Sequence, residues 1–273
     1  MNTNVVSLIS LAESATDNIV HIYEDKPTKQ YVMPKNIRNG NHEHTQQKVL
    51  PIKDPSLVEQ IFDSLLNSGR YGLRNATIFA LNIAIGRRSS DILNLRVKDV
   101  YDFTKKNVRT YMSIRESKTG KSAQDMPVND MTRDILRKYF FSLYDKSPEA
   151  YFFPSQKRNS DGTQRPLNIT SMNEIYKWNS ERICSLLDDP KFTHISSYAC
   201  RKTYGYNLYK HCMEHNGGMT SFGVHVLDYL QKLYNHSSRL ITLTYIGALD
   251  DVSLSMANAV AMQYSLSVEG TKY

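Results

Sequence analysis

Between Leu73 and Ile85 the chain places Ala76, Phe79, Ala80, Ile83 and Ala84 so that most sides of a helix would be apolar. Such a helix has no face for water and must be covered by its neighbours. Gly86 stops it, and Arg87-Arg88-Ser89-Ser90-Asp91-Ile92-Leu93-Asn94-Leu95 begins another, shorter helix. Following a buried helix and Gly86, Arg88 is placed at a helix start where it can face inward, although a structural or surface arginine is the ordinary reading.

The flanking sequence supplies the cover. Asp54 or Ser56 can cap a helix with Pro55 in its first turn, followed by Leu57, Ile61, Leu65 and Leu66 at helical spacing up to Gly69. After Val100 the periodicity changes. Val108 to Arg115 and Ala123 to Val128 read as strands, joined by Glu116-Ser117-Lys118-Thr119-Gly120-Lys121-Ser122 in a hairpin with Lys118 near its tip. Helical patterns return at about Asp130 to Tyr144, Thr170 to Leu187, Tyr198 to Met213, Val224 to Leu233, Ser238 to Ile246 and Val252 to Tyr264, while Lys157 to Arg165 reads as a polar loop. The expected fold is mainly α with one small antiparallel β-sheet, an α+β arrangement without internal repeats.

Residues 1–50 read differently. A short amphipathic helix over Val5 to Ala15 precedes Pro27, Pro34, Gly40 and a polar run containing His42 and His44, which suits an extended arm or linker. Residues 51–273 are expected to form the folded domain. Hydrophobic residues at 40% and charged residues at 22% of the whole chain read as a soluble globular protein. The net charge is +7, from 34 basic and 27 acidic residues. The arm holds five of each (Lys26, Lys29, Lys35, Arg38 and Lys48 against Glu13, Asp17, Glu24, Asp25 and Glu43), so the whole excess lies in the domain. That distribution suits a polyanionic partner contacted by the domain rather than by the arm.

Cys184, Cys200 and Cys212 are too few for a disulfide framework and form no C-x-x-C pair, which points to a reducing cytoplasm and away from zinc. Cys200 suits a small packing position beside Arg201. No apolar run approaches the ~20 residues needed to span a bilayer. The N-terminus lacks the charged start and long apolar region of a signal peptide.

The residues able to carry chemistry are Arg88, Lys118, Arg201, His236 and Tyr245. Each alone has an ordinary explanation as a surface cation, turn, cap or core residue. Their combination has another. Gly86-Arg87-Arg88-Ser89-Ser90-Asp91 has the form Gly-x-Arg-x-Ser-acid; Lys118-Thr119-Gly120 is followed by Pro127-Val128; then come Tyr151-Phe152-Phe153-Pro154-Ser155 and Tyr198-Ala199-Cys200-Arg201-Lys202-Thr203-Tyr204-Gly205-Tyr206. The last block is Asn235-His236-Ser237-Ser238, with Tyr245-Ile246-Gly247 nine residues after the histidine. Five motifs in this order resemble the catalytic domain of the tyrosine recombinase, or phage integrase, family from about Leu50 to the His-Tyr block.

The resemblance implies a tyrosine-recombinase catalytic fold and a defined reaction. Arg88 and Arg201 would clamp a scissile phosphate, because a guanidinium stays ionised and binds two oxygens at once. Tyr245 would attack to give a 3′-phosphotyrosyl link, Lys118 would protonate the departing 5′-oxygen, and His236 would donate a hydrogen bond to the phosphate. Asp91 would support the arginines from behind. Because the covalent link conserves the bond energy, no ATP, metal ion or other cofactor is expected. Double-stranded DNA is the implied partner, with a homotetramer on two DNA sites, the segment Val252 to Tyr264 docking on a neighbour, and a possible accessory DNA-bending protein. No membrane association is expected.

Two departures stand out. Tyr198 occupies the position, three residues before the second arginine, that is usually histidine. A phenol is a poor general base near neutral pH, so Tyr198 is expected to position the phosphate or nucleophile; His194 reads as peripheral. Residues 1–50 are also too few for the helical clamp domain that longer members carry, so the chain resembles the short members. A non-catalytic integrase-like DNA-binding protein and a type IB topoisomerase are the competing readings.

Overall fold

In the computed structural model the described residues are 49–116, 125–187, 195–249, 251–253 and 255–256, without the side chains of 184–187. The chain divides into two units, Met1–Lys48 and Val49–Tyr273, and every described residue belongs to the second. The arm, with its expected helix, lies outside the described residues.

The elements run α1 (Pro55–Leu66), α2 (Gly72–Ile85), α3 (Ser89–Leu93), α4 (Val97–Val100), β1 (Tyr101–Asp102), β2 (Asn107–Val108), β3 (Tyr111–Ser113) and β4 (Asp125–Pro127). They continue with α5 (Asp130–Ser142), β5 (Pro154–Arg158), β6 (Gln164–Pro166), α6 (Ile169–Leu187), α7 (Ser197–Asn216), α8 (Val226–Tyr234) and α9 (Arg239–Tyr245). The fold is mainly α with small antiparallel sheets.

Helix α2 is the centre, packed against α1, α3, α5 and α7. Ala76, Ile78, Phe79, Leu81 and Ile85 are fully buried on it and enter one continuous core. Its polar residues are satisfied locally. Asn82 donates from Nδ2 to the Ile78 carbonyl at 2.8 Å and accepts from the Ser89 hydroxyl at 2.5 Å, which ties the end of α2 to the start of α3. The reversal between them is made by Gly86 at φ 61, a left-handed position. A Cβ there would also stand 2.2 Å from the Tyr204 ring, so both backbone and packing demand glycine.

Side-chain caps set the helix starts, the first at Asp54 as the sequence implies. Asp54 accepts from the Ser56 amide at 2.9 Å, Asn129 from Thr132 at 2.8 Å and Ser196 from Ala199 at 3.2 Å.

The β structure differs from expectation. Among the described residues, three two-stranded sheets stand where one was expected, with orders β1-β2, β3-β4 and β5-β6. The extended run from Val108 changes partner partway. Arg109 donates its amide to Val100, whereas Thr110 accepts from Val128, so the first residues belong to one hairpin and the rest to another. In the second, Tyr111 faces Pro127, Met112 faces Met126 and Ser113 faces Asp125; its tip, with Lys118, lies outside the described residues. The polar stretch Lys157 to Arg165 is part of a third hairpin rather than a loop. Its turn is held by the Gly162 amide on the Asn159 carbonyl at 3.0 Å and by Asp161 accepting from the Thr163 amide at 2.9 Å. Neither strand contributes a buried residue, which is why no apolar alternation announced it.

Among the described residues no helix is long and apolar enough to cross a membrane. Of the segment Val252 to Tyr264, residues 254 and 257 onward lie outside the described set; Met256 is exposed.

Candidate active site

Arg88 is the N-cap of α3, placed by the left-handed turn at Gly86. Its neighbour Arg87 is buried and forms an ion pair with Glu116 at 2.9 Å, while Arg88 Nη1 lies 3.5 Å from the other oxygen of the same carboxylate. Glu116 therefore links the α2–α3 turn to the chain that follows β3. Asp91 is buried one turn into α3, its amide on the Arg88 carbonyl at 2.9 Å.

Arg201 enters from the first turns of α7. Only 4% of it is exposed, and its guanidinium lies over the Tyr234 ring, 4.4 Å from the centroid. The Tyr234 hydroxyl donates to the Arg201 carbonyl at 2.8 Å, so one aromatic residue of α8 fixes both ends of the arginine. Burial pushes the Arg201 guanidinium below its ordinary value, the neighbouring Tyr245 and Tyr234 hydroxyls act in the opposite sense, and Arg88 adds to the burial effect. The Nη1 atoms of Arg88 and Arg201 are both buried with no hydrogen-bond partner among the described residues. Buried donors are almost always satisfied. The Arg201 donor, and the Arg88 donor held only by its long ion pair with Glu116, leave a place for an anion.

His236 and Tyr245 are delivered by the α8–α9 connection. Asn235 ends α8 in the left-handed region at φ 58, and the His236 amide returns to the Gln231 carbonyl at 3.0 Å. Ser238 then starts α9, accepting from the Ile241 amide at 3.2 Å. With a helix cap on either side, His236 has little backbone freedom. Its Nδ1 stands 3.1 Å from the Thr242 hydroxyl. Burial, and then the Arg201 and Arg88 charges, hold its imidazole below the ordinary histidine value.

Tyr245 is the last residue of α9. Its ring packs edge-on against His236, with centroids 4.9 Å apart, and against Tyr234 at 5.2 Å; Lys202 Nζ lies 4.9 Å from its centre on the third side. Burial pushes the phenol above its ordinary value and the Arg201 guanidinium opposes that rise. Close approach of α8 and α9 to α7 depends on Gly205, where a Cβ would stand 2.5 Å from the Tyr234 hydroxyl and 2.7 Å from Ile246.

The structure thus brings Arg88, Arg201, His236 and Tyr245 together. Tyr198, in the first turn of α7, is 62% exposed, yet near enough to act electrostatically on Tyr245. Lys118 and His194 lie outside the described residues. Sequence reasoning passed over Glu116, Lys202, Tyr234 and Thr242. Tyr234 directly precedes the Asn-His-Ser-Ser block and Thr242 lies one helical turn before Tyr245, so adjacency was the available signal.

The model of the phage integrase family matches residues 54–250, and the chain belongs to that family, the tyrosine recombinases. The probable integrase/recombinase YoeC of Bacillus subtilis (strain 168) is 26% identical over 205 residues, covering 75% of this chain and 93% of that protein. Solved structures to which the chain shows similarity include XerA recombinase, at 13% identity and TM-score 0.49 over 80% of this chain and 66% of that one. A lambda integrase dimer bound to a COC' core site matches at 14% and 0.47, over 89% and 72%. The Tn1549 transposon integrase in complex with circular intermediate DNA matches at 18% and 0.48, over 75% of this chain and 62% of that one.

Proposed function

We propose that this protein is a site-specific DNA recombinase that cleaves and rejoins strands through a 3′-phosphotyrosyl intermediate on Tyr245, with residues 51–273 as the catalytic domain. The observation that carries the reading is the pair of buried, unsatisfied guanidinium nitrogens of Arg88 and Arg201 beside the Tyr245 phenol. A scissile phosphate would fill that place. Its non-bridging oxygens would take the Arg201 Nη1 donor and compete with Glu116 for Arg88 Nη1, and charge developing on those oxygens would meet cations already desolvated, where electrostatic stabilisation is strongest. Family membership supports the same assignment.

In this reading Tyr245 attacks, Lys118 protonates the 5′-oxygen and His236 completes the site. Tyr198, on the exposed rim, positions the DNA backbone or the nucleophile, and Asp91 supports the arginines from behind. The substrate is double-stranded DNA, engaged by the domain that carries the whole positive excess. A homotetramer on two DNA sites, an accessory DNA-bending protein and a cytoplasmic setting complete the proposal as the family implies them.

A nicked suicide duplex tests it, since loss of the fragment beyond the nick traps the covalent intermediate. The wild type is expected to form a protein–DNA adduct resistant to denaturant. Tyr245→Phe is expected to form none while its DNA affinity stays within about tenfold, because a lost hydroxyl contact to DNA contributes about 0.5–1.5 kcal/mol or less. Tight binding without any adduct from the wild type would instead mark a DNA-binding protein. Relaxation of plasmids lacking a recognition sequence would mark a topoisomerase.

A further inference from the structure

The recombinase reading, on which this inference rests, needs two guanidinium groups held at one separation. A phosphate takes both together, yet the two like charges repel each other across the place it would fill. Their separation must therefore be imposed by the elements that carry them. Glu116 reaches Arg88, and the Tyr234 ring lies against Arg201, so these contacts hold the two groups from different sides.

A series of buried polar side chains joins the elements themselves. Ser89, the residue after Arg88, donates its hydroxyl to Asn82 Oδ1 at 2.5 Å. Asn82 Nδ2 donates to the Ile78 carbonyl at 2.8 Å and directs its other hydrogen to the Tyr176 hydroxyl at 3.4 Å. Tyr176 stands on α6 and hydrogen-bonds in turn with the thiol of Cys200, the residue before Arg201. Each end of the series is thus next to an arginine in sequence. All four side chains are buried, and those of Asn82, Tyr176 and Cys200 completely. Polar groups in such a place add little stability over apolar groups of the same shape, so stability alone does not account for them.

The same face of α6 repeats the pattern. Asn173 accepts from the hydroxyl and the amide of Ser197 at 2.5 and 3.2 Å, and Ser180 accepts from the Ile195 amide at 2.7 Å. Asn173, Tyr176 and Ser180 lie at i, i+3 and i+7, and each bonds to the stretch 195–200 that leads into α7. A satisfied polar network allows one register, whereas apolar contacts tolerate small shifts. We propose that Tyr176 is a positioning residue for the reaction. With Asn82, Ser89 and Cys200 it ties the backbone at Arg88 to the backbone at Arg201, and so sets the spacing of the phosphate clamp. Burial pushes the Tyr176 phenol well above its ordinary value and the Cys200 thiol up to about 12, so both stay neutral and the series persists through the working pH range.

The test uses the full chain and a duplex recovered from a randomised pool by covalent capture, then synthesised with a nick. Adduct formation is followed in single turnovers, well below the melting temperature, over a range of duplex concentrations. Tyr176→Phe removes only the hydroxyl. Its maximal rate should fall at least about 10-fold, because small displacements of a reacting group's partners cost up to about 100-fold. Its half-saturating duplex concentration should stay within about threefold, since affinity comes from many phosphates. Cys200 tests the other end of the series. Cys200→Ala should lose about 10-fold, and Cys200→Ser, which keeps a partner for the phenol, should recover it.

Combining Tyr176→Phe with Cys200→Ala separates positioning from stability. With both partners replaced by apolar groups, the urea midpoint should return towards the wild-type value. The maximal rate should nevertheless stay at least about 10-fold down. A rate that recovers together with the midpoint overturns the proposal. So does Tyr176→Phe cleaving within about threefold of wild type, or Cys200→Ser losing as much as Cys200→Ala. Each of these results leaves the recombinase reading standing. A wild type that captures no sequence covalently overturns that reading and this one together.

Discussion

At the scale of single residues, Glu116 has two duties that pull in opposite directions. Its carboxylate is the counter-ion of Arg87, whose side chain is 4% exposed, and it also reaches Arg88 at 3.5 Å. Removing one partner of a buried pair leaves an uncompensated charge and costs about 3–5 kcal/mol. Glu116→Gln keeps an acceptor, so a loss of about 2–4 kcal/mol is expected in urea denaturation. The same change removes a negative charge beside the proposed phosphate position, so affinity for duplex DNA should rise in fluorescence anisotropy. A fall in both quantities would show that Glu116 holds Arg88 in place more than it competes for it. This pairing was not legible in the sequence. Arg88, Arg201, His236 and Tyr245 could be read because each sits inside a short motif of distinctive residues. Glu116 meets Arg87 across 29 positions, and Tyr234 meets the Arg201 carbonyl across 33. Contacts of that kind are created by packing and have no local pattern to announce them.

At the scale of elements, the site depends on how closely α8 and α9 lie on α7. Gly205 sets that distance, because any Cβ there collides with the Tyr234 hydroxyl and with Ile246 beside the nucleophile. Gly205→Ala is expected to destabilise by about 1–3 kcal/mol, the usual range for overpacking. Adduct formation should fall by about 100-fold, since a displacement near 1 Å at a reacting group has that effect. Single-turnover cleavage measured well below the melting temperature separates the two. A rate that falls no further than the folded fraction would show that α9 shifts without disturbing Tyr245. The helices themselves were legible because their apolar positions repeat at helical spacing, and the first of them starts at a readable cap, Asp54. The β elements were less so. Pro154–Arg158 and Gln164–Pro166 bury no residue fully, and the run after Val108 serves two sheets in turn, so neither offers the alternation by which a half-buried strand is recognised.

At the scale of the whole folded unit, residues 49–53 close the structure by lying between α7 and the chain that follows Tyr245. Val49 accepts from Lys202 Nζ at 2.7 Å, and the Ile52 amide donates to the Thr203 hydroxyl at 2.8 Å. Pro51 lies so close to Gly247 that a Cβ on the glycine would stand 2.8 Å from it, and Lys53 forms an ion pair with Asp251 at 2.7 Å. The segment therefore backs the α9 terminus on which the nucleophile sits. Burial and charge can be separated here. Ile52 is 6% exposed, whereas the Lys53 and Asp251 side chains are 40% and 48% exposed. Truncating a buried isoleucine costs about 2–5 kcal/mol, while an exposed ion pair contributes about 0–1 kcal/mol. Ile52→Ala should accordingly lower the urea midpoint far more than Asp251→Asn. The small effect of Asp251→Asn should vanish in 1 M salt, where the screening length falls to about 3 Å, and that of Ile52→Ala should not. If the order were reversed, the closure would be electrostatic, and the nucleophile's helix would loosen at the same ionic strength that releases DNA.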